Sequence, residues 1–218
     1  MNGRQLALPF PHAPHYDHSE ILRAPCNDAA LAWLDRTTEW PGLRLAVWGG
    51  EGAGKTHLAH AWARRQGGVL TEGYLLRGVP RPEAPVAVDD ADALADEAAL
   101  LHLLNAAAEM RLPVLLLARE PPARWKLSLP DLASRVRAMV AVGIQEPDDA
   151  MLRALLDRLL ADRQLDLAEG LRDWLLARLP RTPGALREAA SRLDRASLSA
   201  GGRVTRALAG EVLVAMEA

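Results

Sequence analysis

The sequence predicts an α/β protein: a five-stranded parallel sheet built around a phosphate-binding loop, followed by a small all-helical domain. Three observations carry that prediction. The segment Gly49-Gly50-Glu51-Gly52-Ala53-Gly54-Lys55-Thr56 satisfies the pattern G-x-x-x-x-G-K-[ST] in full. It stands between a short apolar run and a helical pattern, the strand–loop–helix context that gives the motif its meaning. After Glu146-Pro147 the strand signals stop, and only helical periodicity follows.

Each element can be justified in turn. Residues 1–14 read as a proline-containing extended tail. Residues 28–38 form a helix with Ala29, Ala30, Trp33 and Leu34 on its apolar face. Leu43 to Trp48 is short, apolar and ends in glycines, which makes it a buried strand. The pattern turns helical from Lys55 to Arg65, and Val69-Leu70-Thr71 supplies a second strand. Gly78 to Pro85 carries three prolines and is a loop. Val86-Ala87-Val88 is a third strand that runs into Asp89-Asp90. Residues 96–110 read as a helix and Pro113 to Ala118 as a fourth strand. Pro121-Pro122 breaks the chain, a short helix covers 130–137, and Met139 to Ile144 is the last strand. Beyond it, residues 148–163 align Met151, Leu152, Leu155, Leu156, Leu159 and Leu160 on one stripe. A second helix covers 167–179. Thr182-Pro183, a capping hydroxyl before proline at the first helical position, opens a third helix to about 198, and Thr205 caps a fourth. The domains expected are therefore a tail (1–14), an α/β core (15–145) and a helical domain (146–218).

Composition narrows the function classes. The 218-residue chain has a formal net charge of −2, which argues against a broad non-specific nucleic-acid surface. Cys26 is the only cysteine, so no internal disulfide forms and a reducing compartment fits. No apolar run is long enough for a membrane span, so the expected location is cytoplasmic with no membrane partner. His12, His15 and His18 recur every three residues, but Pro14 interrupts the helix that would align them as metal ligands.

The chemistry concentrates at a few positions. In the loop, Gly50, Gly52, Ala53 and Gly54 let backbone N–H groups curl around phosphate oxygens. Lys55 reaches the β- and γ-phosphates of a nucleotide, and Thr56 offers its hydroxyl to Mg2+. His57, next in the chain, is included among the nucleotide-binding positions. Asp89 and Asp90 close a buried strand, where a nucleotide-hydrolysing site needs carboxylates. Asp89 is the expected Mg2+ ligand and Asp90 the group that orients water, although two acids opening a loop would look the same. Arg135, just before the last strand, is either an ordinary surface arginine or one that reaches a neighbouring subunit's γ-phosphate. In the tail, Gln5 suits a pocket mouth, while Leu6, Leu8, Pro9 and Phe10 can fill apolar pockets along an extended backbone.

Taken with Pro130-Asp131-Leu132-Ala133-Ser134-Arg135 and Leu193-Asp194-Arg195-Ala196-Ser197, these motifs resemble the AAA+ family, and within it the DnaA-related proteins, most closely the Hda-like regulators. The resemblance covers nearly the whole chain. It implies that Gln5 to Phe10 docks on the β sliding clamp of the replisome. It also implies that Arg135 acts in trans as an arginine finger on the ATP of DnaA, so that replication initiation is switched off. DNA would then be met only indirectly through the clamp, and homo-oligomers are compatible. The chain's own ADP or ATP, with Mg2+, would serve mainly as a conformational ligand. Two positions depart from the family pattern. The polar sensor at the end of the fourth strand falls on Leu117, and the sensor arginine of the helical domain falls on Gly184, with Arg181 or Arg187 as substitutes. Both departures imply poor intrinsic hydrolysis and a leaning towards ADP. The alternative is an autonomous DnaA-like or helicase-loader-like ATPase. The end of the chain after the helical domain, without a helix-turn-helix, favours the regulator over a full initiator.

Overall fold

The computed structural model describes residues 21–199 and 203–217, and the chain divides into two compact units between Glu146 and Pro147. The clamp-binding residues expected in the tail, Gln5, Leu6, Leu8, Pro9 and Phe10, lie outside the described residues.

In the first unit, α1 (Asp28–Asp35) leads to β1 (Arg44–Trp48), and α2 (Lys55–Gln66) connects it to β2 (Val69–Glu72). Then come β3 (Val86–Asp89), α3 (Glu97–Glu109), β4 (Val114–Ala118), α4 (Pro130–Arg137) and β5 (Val140–Gly143). All neighbouring strands run parallel, in the order β2-β3-β4-β1-β5. Parallel strands need crossover connections, and α2, α3 and α4 provide them. Alternation along each strand divides the core into two layers. Val114, Leu116 and Ala118 of β4 join Leu100, Leu103 and Leu104 of α3 and Leu132 and Val136 of α4. Leu115 and Leu117 face the other way, with Leu45 and Val47 of β1, Leu31 and Leu34 of α1, and Leu58 and Trp62 of α2. The chain leaves β1 for one side of the sheet and later crosses to β5 on the other. The carboxyl end of β1 is therefore a topological switch point, the place where open α/β sheets bind ligands.

The first helix is shorter than its sequence pattern. It ends at Asp35, and a 3-10 turn over Thr37–Glu39 replaces its last turn. Thr37 turns inward there. Its hydroxyl donates to the Leu34 carbonyl at 3.2 Å and accepts from Trp62 Nε1 at 3.0 Å. Trp62 also stacks on Trp40, with ring centroids 5.4 Å apart and planes 18° apart. Trp62→Ala removes the stack and leaves the Thr37 hydroxyl without its donor. It should destabilise the protein by about 3–5 kcal/mol in chemical denaturation.

The second unit contains α5 (Asp149–Ala161), α6 (Glu169–Leu176), α7 (Pro183–Ser199) and α8 (Arg206–Glu217). The six apolar residues read as one stripe of α5 are all buried. Asp148 caps α5 by accepting from Met151 N–H at 2.7 Å. Thr182 caps α7 by accepting from Ala185 N–H at 3.2 Å, and Thr205 does the same for α8 through Leu208 N–H at 3.3 Å. The second helix is shorter than expected at both ends, covering Glu169–Leu176, with Leu167 buried in the connection before it. Trp174 on α6 carries the guanidinium of Arg178 at 4.6 Å and that of Arg206 at 5.2 Å from its ring centroid. No helix among the described residues is long and apolar enough to cross a membrane.

Candidate functional site

The glycine-rich loop leaves the end of β1 and enters α2. Its start is tied to the neighbouring strand, because Gly49 N–H donates to the Ala118 carbonyl at 3.1 Å. Gly52 (φ 72°) and Gly54 (φ 96°) take left-handed conformations that a side chain would strain, and these bend the loop back over the helix start. Gly54 is the N-cap of α2 and has no side chain with which to cap it. The first helical bond runs from Leu58 N–H to the Gly54 carbonyl, so the N–H groups of Lys55, Thr56 and His57 belong to the open first turn. Such an end favours anions.

Lys55 is buried, and its Nζ donates to the carbonyls of Gly49 at 2.8 Å and Gly50 at 2.9 Å. The ammonium thus closes the loop from inside. Burial pushes the Lys55 pKa down, against the opposing pull of Asp89 and Asp90. Thr56, next along, donates its hydroxyl to Asp89 Oδ2 at 2.6 Å. The other oxygen of Asp89 accepts from Asp90 N–H at 3.0 Å. A hydroxyl and a buried carboxylate already in contact are a donor set suited to Mg2+. That ion commonly takes one or two carboxylates and completes its shell with phosphate oxygens and water. Among the described residues there is no cluster of three or more His, Cys, Asp or Glu that would hold a metal by itself. His60, on the same helix, is held below the ordinary histidine value by burial, with Asp89 opposing.

Asp90 has φ 46°, a left-handed conformation uncommon outside glycine but tolerated by aspartate. The turn is clasped from both sides. Ala91 N–H donates to the Leu117 carbonyl at 2.8 Å, and Gly73 passes so close that a Cβ there would stand 2.4 Å from the Asp90 carbonyl oxygen. The sharp turn after β3 separates the two acids: Asp89 is buried against Thr56, and Asp90 turns out of the strand.

Arg135 sits in the last turn of α4, with Nε donating to Asp131 Oδ1 at 3.2 Å on the same helix. Its side chain is 37% exposed, and no hydrogen bond or ion pair joins it to the phosphate-loop residues. The like charge of Arg135 also adds to the lowering of the Arg44 pKa, after burial.

The placement of α4 depends on a residue that sequence reasoning passed over. Glu97, at the start of α3, accepts from Ser128 N–H through both oxygens at 2.9 Å and from Leu129 N–H at 2.8 Å. Leu129 is the N-cap of α4, and no side chain of its own segment caps that helix. A carboxylate borrowed from a neighbouring helix therefore satisfies donors at the end that leads to Arg135. The hydrogen bonds from Ser128 and Leu129 hold the Glu97 carboxyl below its ordinary value. A depressed carboxyl stabilises the fold above its unfolded pKa, and the contribution is lost as pH falls through the folded value. Glu97→Gln should therefore be less stable than wild type at neutral pH. The gap between their melting temperatures should close on acidification below the ordinary glutamate range, about pH 4.3.

Leu117, where the family pattern has a polar sensor, is fully buried on the α2 side of the sheet and cannot face a phosphate. The side chain that leaves the end of β4 towards the loop is instead Arg119, whose Nη1 lies 3.5 Å from Glu51 Oε2. Within the helical unit, Arg181 pairs with Asp149 at 2.5 Å, and Gly184 lies in the first turn of α7 with Arg187 beyond it. Sequence alone assigns a site role to neither Glu51 nor Arg119, because one is a variable position of the motif and the other belongs to an adjacent pair of opposite charges, Arg119-Glu120, after a strand.

No family model matches the chain. Among solved structures, it is similar to domain III of the Thermotoga maritima replication initiation protein DnaA. That match has a TM-score of 0.77 and 18% identity, over 92% of this chain and 96% of that one. It is also similar to a replication initiator DnaA bound to AMPPCP and single-stranded DNA, with a TM-score of 0.67 and 17% identity. There the match spans 82% of this chain but 64% of that one. A Thermotoga maritima RuvB variant matches with a TM-score of 0.67 and 15% identity, over 92% of this chain and 72% of that one. The fold is therefore that of DnaA domain III and RuvB, with a five-stranded parallel core and the helical segments that follow it.

Proposed function

We propose that the chain is a nucleotide-binding AAA+ regulator of DnaA: it docks on the sliding clamp, meets ATP-bound DnaA and promotes hydrolysis of that ATP in trans. The nucleotide part rests on one arrangement, the buried Lys55 ammonium beside the Thr56–Asp89 contact at the mouth of a left-handed glycine loop. In this reading the loop N–H groups and Lys55 hold the phosphates, and Thr56 and Asp89 hold Mg2+. The bound ion neutralises phosphate charge. Asp90, next to Asp89 after β3, is the group assigned to orient water. It is one methylene shorter than glutamate and set in a tight turn, so intrinsic turnover is expected to be slow. A purified protein that turns over ATP near 1 s⁻¹, within the range of working phosphoryl-transfer enzymes, contradicts this.

The regulatory part is supported by Gln5 to Phe10, by Arg135 at the end of α4, and by the likeness to DnaA domain III over most of both chains. AAA+ subunits that share a fold can pack as heterologous neighbours, which lets one subunit present an arginine to the next subunit's nucleotide. The deciding experiment is a reconstituted assay with ATP-loaded DnaA and clamp-loaded DNA, with and without this protein. Accelerated hydrolysis that needs the clamp supports the reading, and no acceleration rejects it. Replacing Gln5 and Leu6 together with alanine is expected to abolish retention on immobilised clamp. Undiminished retention would remove the tail from the mechanism.

A further inference from the structure

The glycine loop contains a carboxylate, which is an unfavourable group to place beside phosphates. Glu51 is 84% exposed at the loop's tip, and like-charge repulsion would weaken phosphate binding unless something offsets it. The offset comes from Arg119, whose guanidinium lies 3.5 Å away and is itself 60% exposed. At that distance and exposure the pair is loose, and such pairs contribute little to stability. It is therefore free to exchange.

Arg119 is held in place by its backbone rather than by its side chain. Asp92 Oδ2 accepts from Arg119 N–H at 2.9 Å and from Glu120 N–H at 3.3 Å. The preceding residue, Ala118, accepts from Gly49 N–H, so the root of Arg119 is anchored to the root of the loop. Its charge is felt at the phosphate lysine, where burial chiefly lowers the Lys55 pKa and Arg119 adds a smaller push in the same direction. The site thus has two cations. Lys55 is buried and fixed to loop carbonyls, whereas Arg119 is exposed and held only by a weak pair.

We propose that Arg119 distinguishes triphosphate from diphosphate at this loop, exchanging Glu51 for the terminal phosphate and thereby replacing the contact that Leu117 cannot make. A guanidinium suits that task because its planar fork can hold two phosphate oxygens at once. The exchange also gives the loop two electrostatic states. Glu51 is paired when the terminal phosphate is absent and released to solvent when it is present. The inference rests on the nucleotide reading above, but it reverses the leaning towards ADP that the loss of a polar sensor at Leu117 implies.

The test is equilibrium binding of fluorescently labelled ATP and ADP to the full chain, with circular dichroism to confirm folding of each variant. Arg119→Ala is expected to weaken ATP by about tenfold or more, the cost of one charge-assisted contact, and ADP by less than about threefold. Glu51→Gln is expected to raise the preference for ATP over ADP in the wild-type background, through release of Arg119, and to raise it less in the Arg119→Ala background, where only the like-charge repulsion is relieved. Equal loss of both nucleotides in Arg119→Ala, or an unchanged ratio in every variant, overturns the inference while leaving nucleotide binding intact. Wild-type protein that binds neither nucleotide overturns the nucleotide reading and this inference with it.

Discussion

Arg135→Ala protein is expected to stimulate hydrolysis of DnaA-bound ATP at least about a thousandfold less than wild type, the lower end of what an arginine finger supplies. The same variant should keep its melting temperature, its nucleotide affinity and its retention on the clamp. The structure explains why these should separate. Among the described residues Arg135 is bonded only to Asp131, on its own helix and one turn away, and exposed i,i+4 pairs contribute about 0.3–0.5 kcal/mol. The residue is therefore nearly free to leave that contact, and α4 keeps its buried Leu132, Ala133 and Val136 without it. Arg135→Lys should rescue little, because a point charge lacks the fork that spans phosphate oxygens. Full stimulation by the alanine variant in the clamp–DNA assay would place the activating group elsewhere.

The second large effect is expected at Lys55. Lys55→Ala should reduce affinity for ATP and ADP alike by about a hundredfold, in keeping with loss of a charge-assisted contact from a buried site. The residue has two tasks. Its ammonium bonds the carbonyls of Gly49 and Gly50, so alanine removes a support of the loop as well as the charge that meets phosphate. Lys55→Arg should fail too, since a bulkier guanidinium must enter a slot where the native side chain is already buried. Equal loss for both nucleotides marks this position off from Arg119, where the loss is expected to fall on the triphosphate. Alanine protein that binds within about threefold of wild type would remove Lys55 from the phosphate site.

The parts of this site that were legible in the sequence are those enforced by short-range chemistry. Gly52 and Gly54 announce left-handed turns, Lys55 and Thr56 occupy fixed offsets in a motif, and Asp89 ends an apolar run. The strands were legible because Val86–Asp89 and Val114–Ala118 are buried on both faces and so read as unbroken apolar stretches. What the sequence concealed depends on contacts between distant segments. Thr37 ends a helix early because Trp62 arrives from another helix to meet its hydroxyl. Glu97 looks like an ordinary first-turn acid, and only the fold brings Ser128 and Leu129 to its oxygens. Leu117 and Arg119 lie two residues apart, yet only the pairing of β4 with β1 buries the first and brings the second to the loop.

The Trp174 ring, in contact with the guanidinium groups of Arg178 and Arg206, has a practical consequence. Of the six tryptophans, it alone lies beyond Glu146. In protein labelled with fluorotryptophan, the resonance missing from Trp174→Phe is thereby assigned to the helical unit. Its response to urea, nucleotide or clamp can be read beside five signals from the sheet-containing unit. One spectrum then tells whether the two units melt together or apart, and whether a ligand bound to the glycine loop is felt in both.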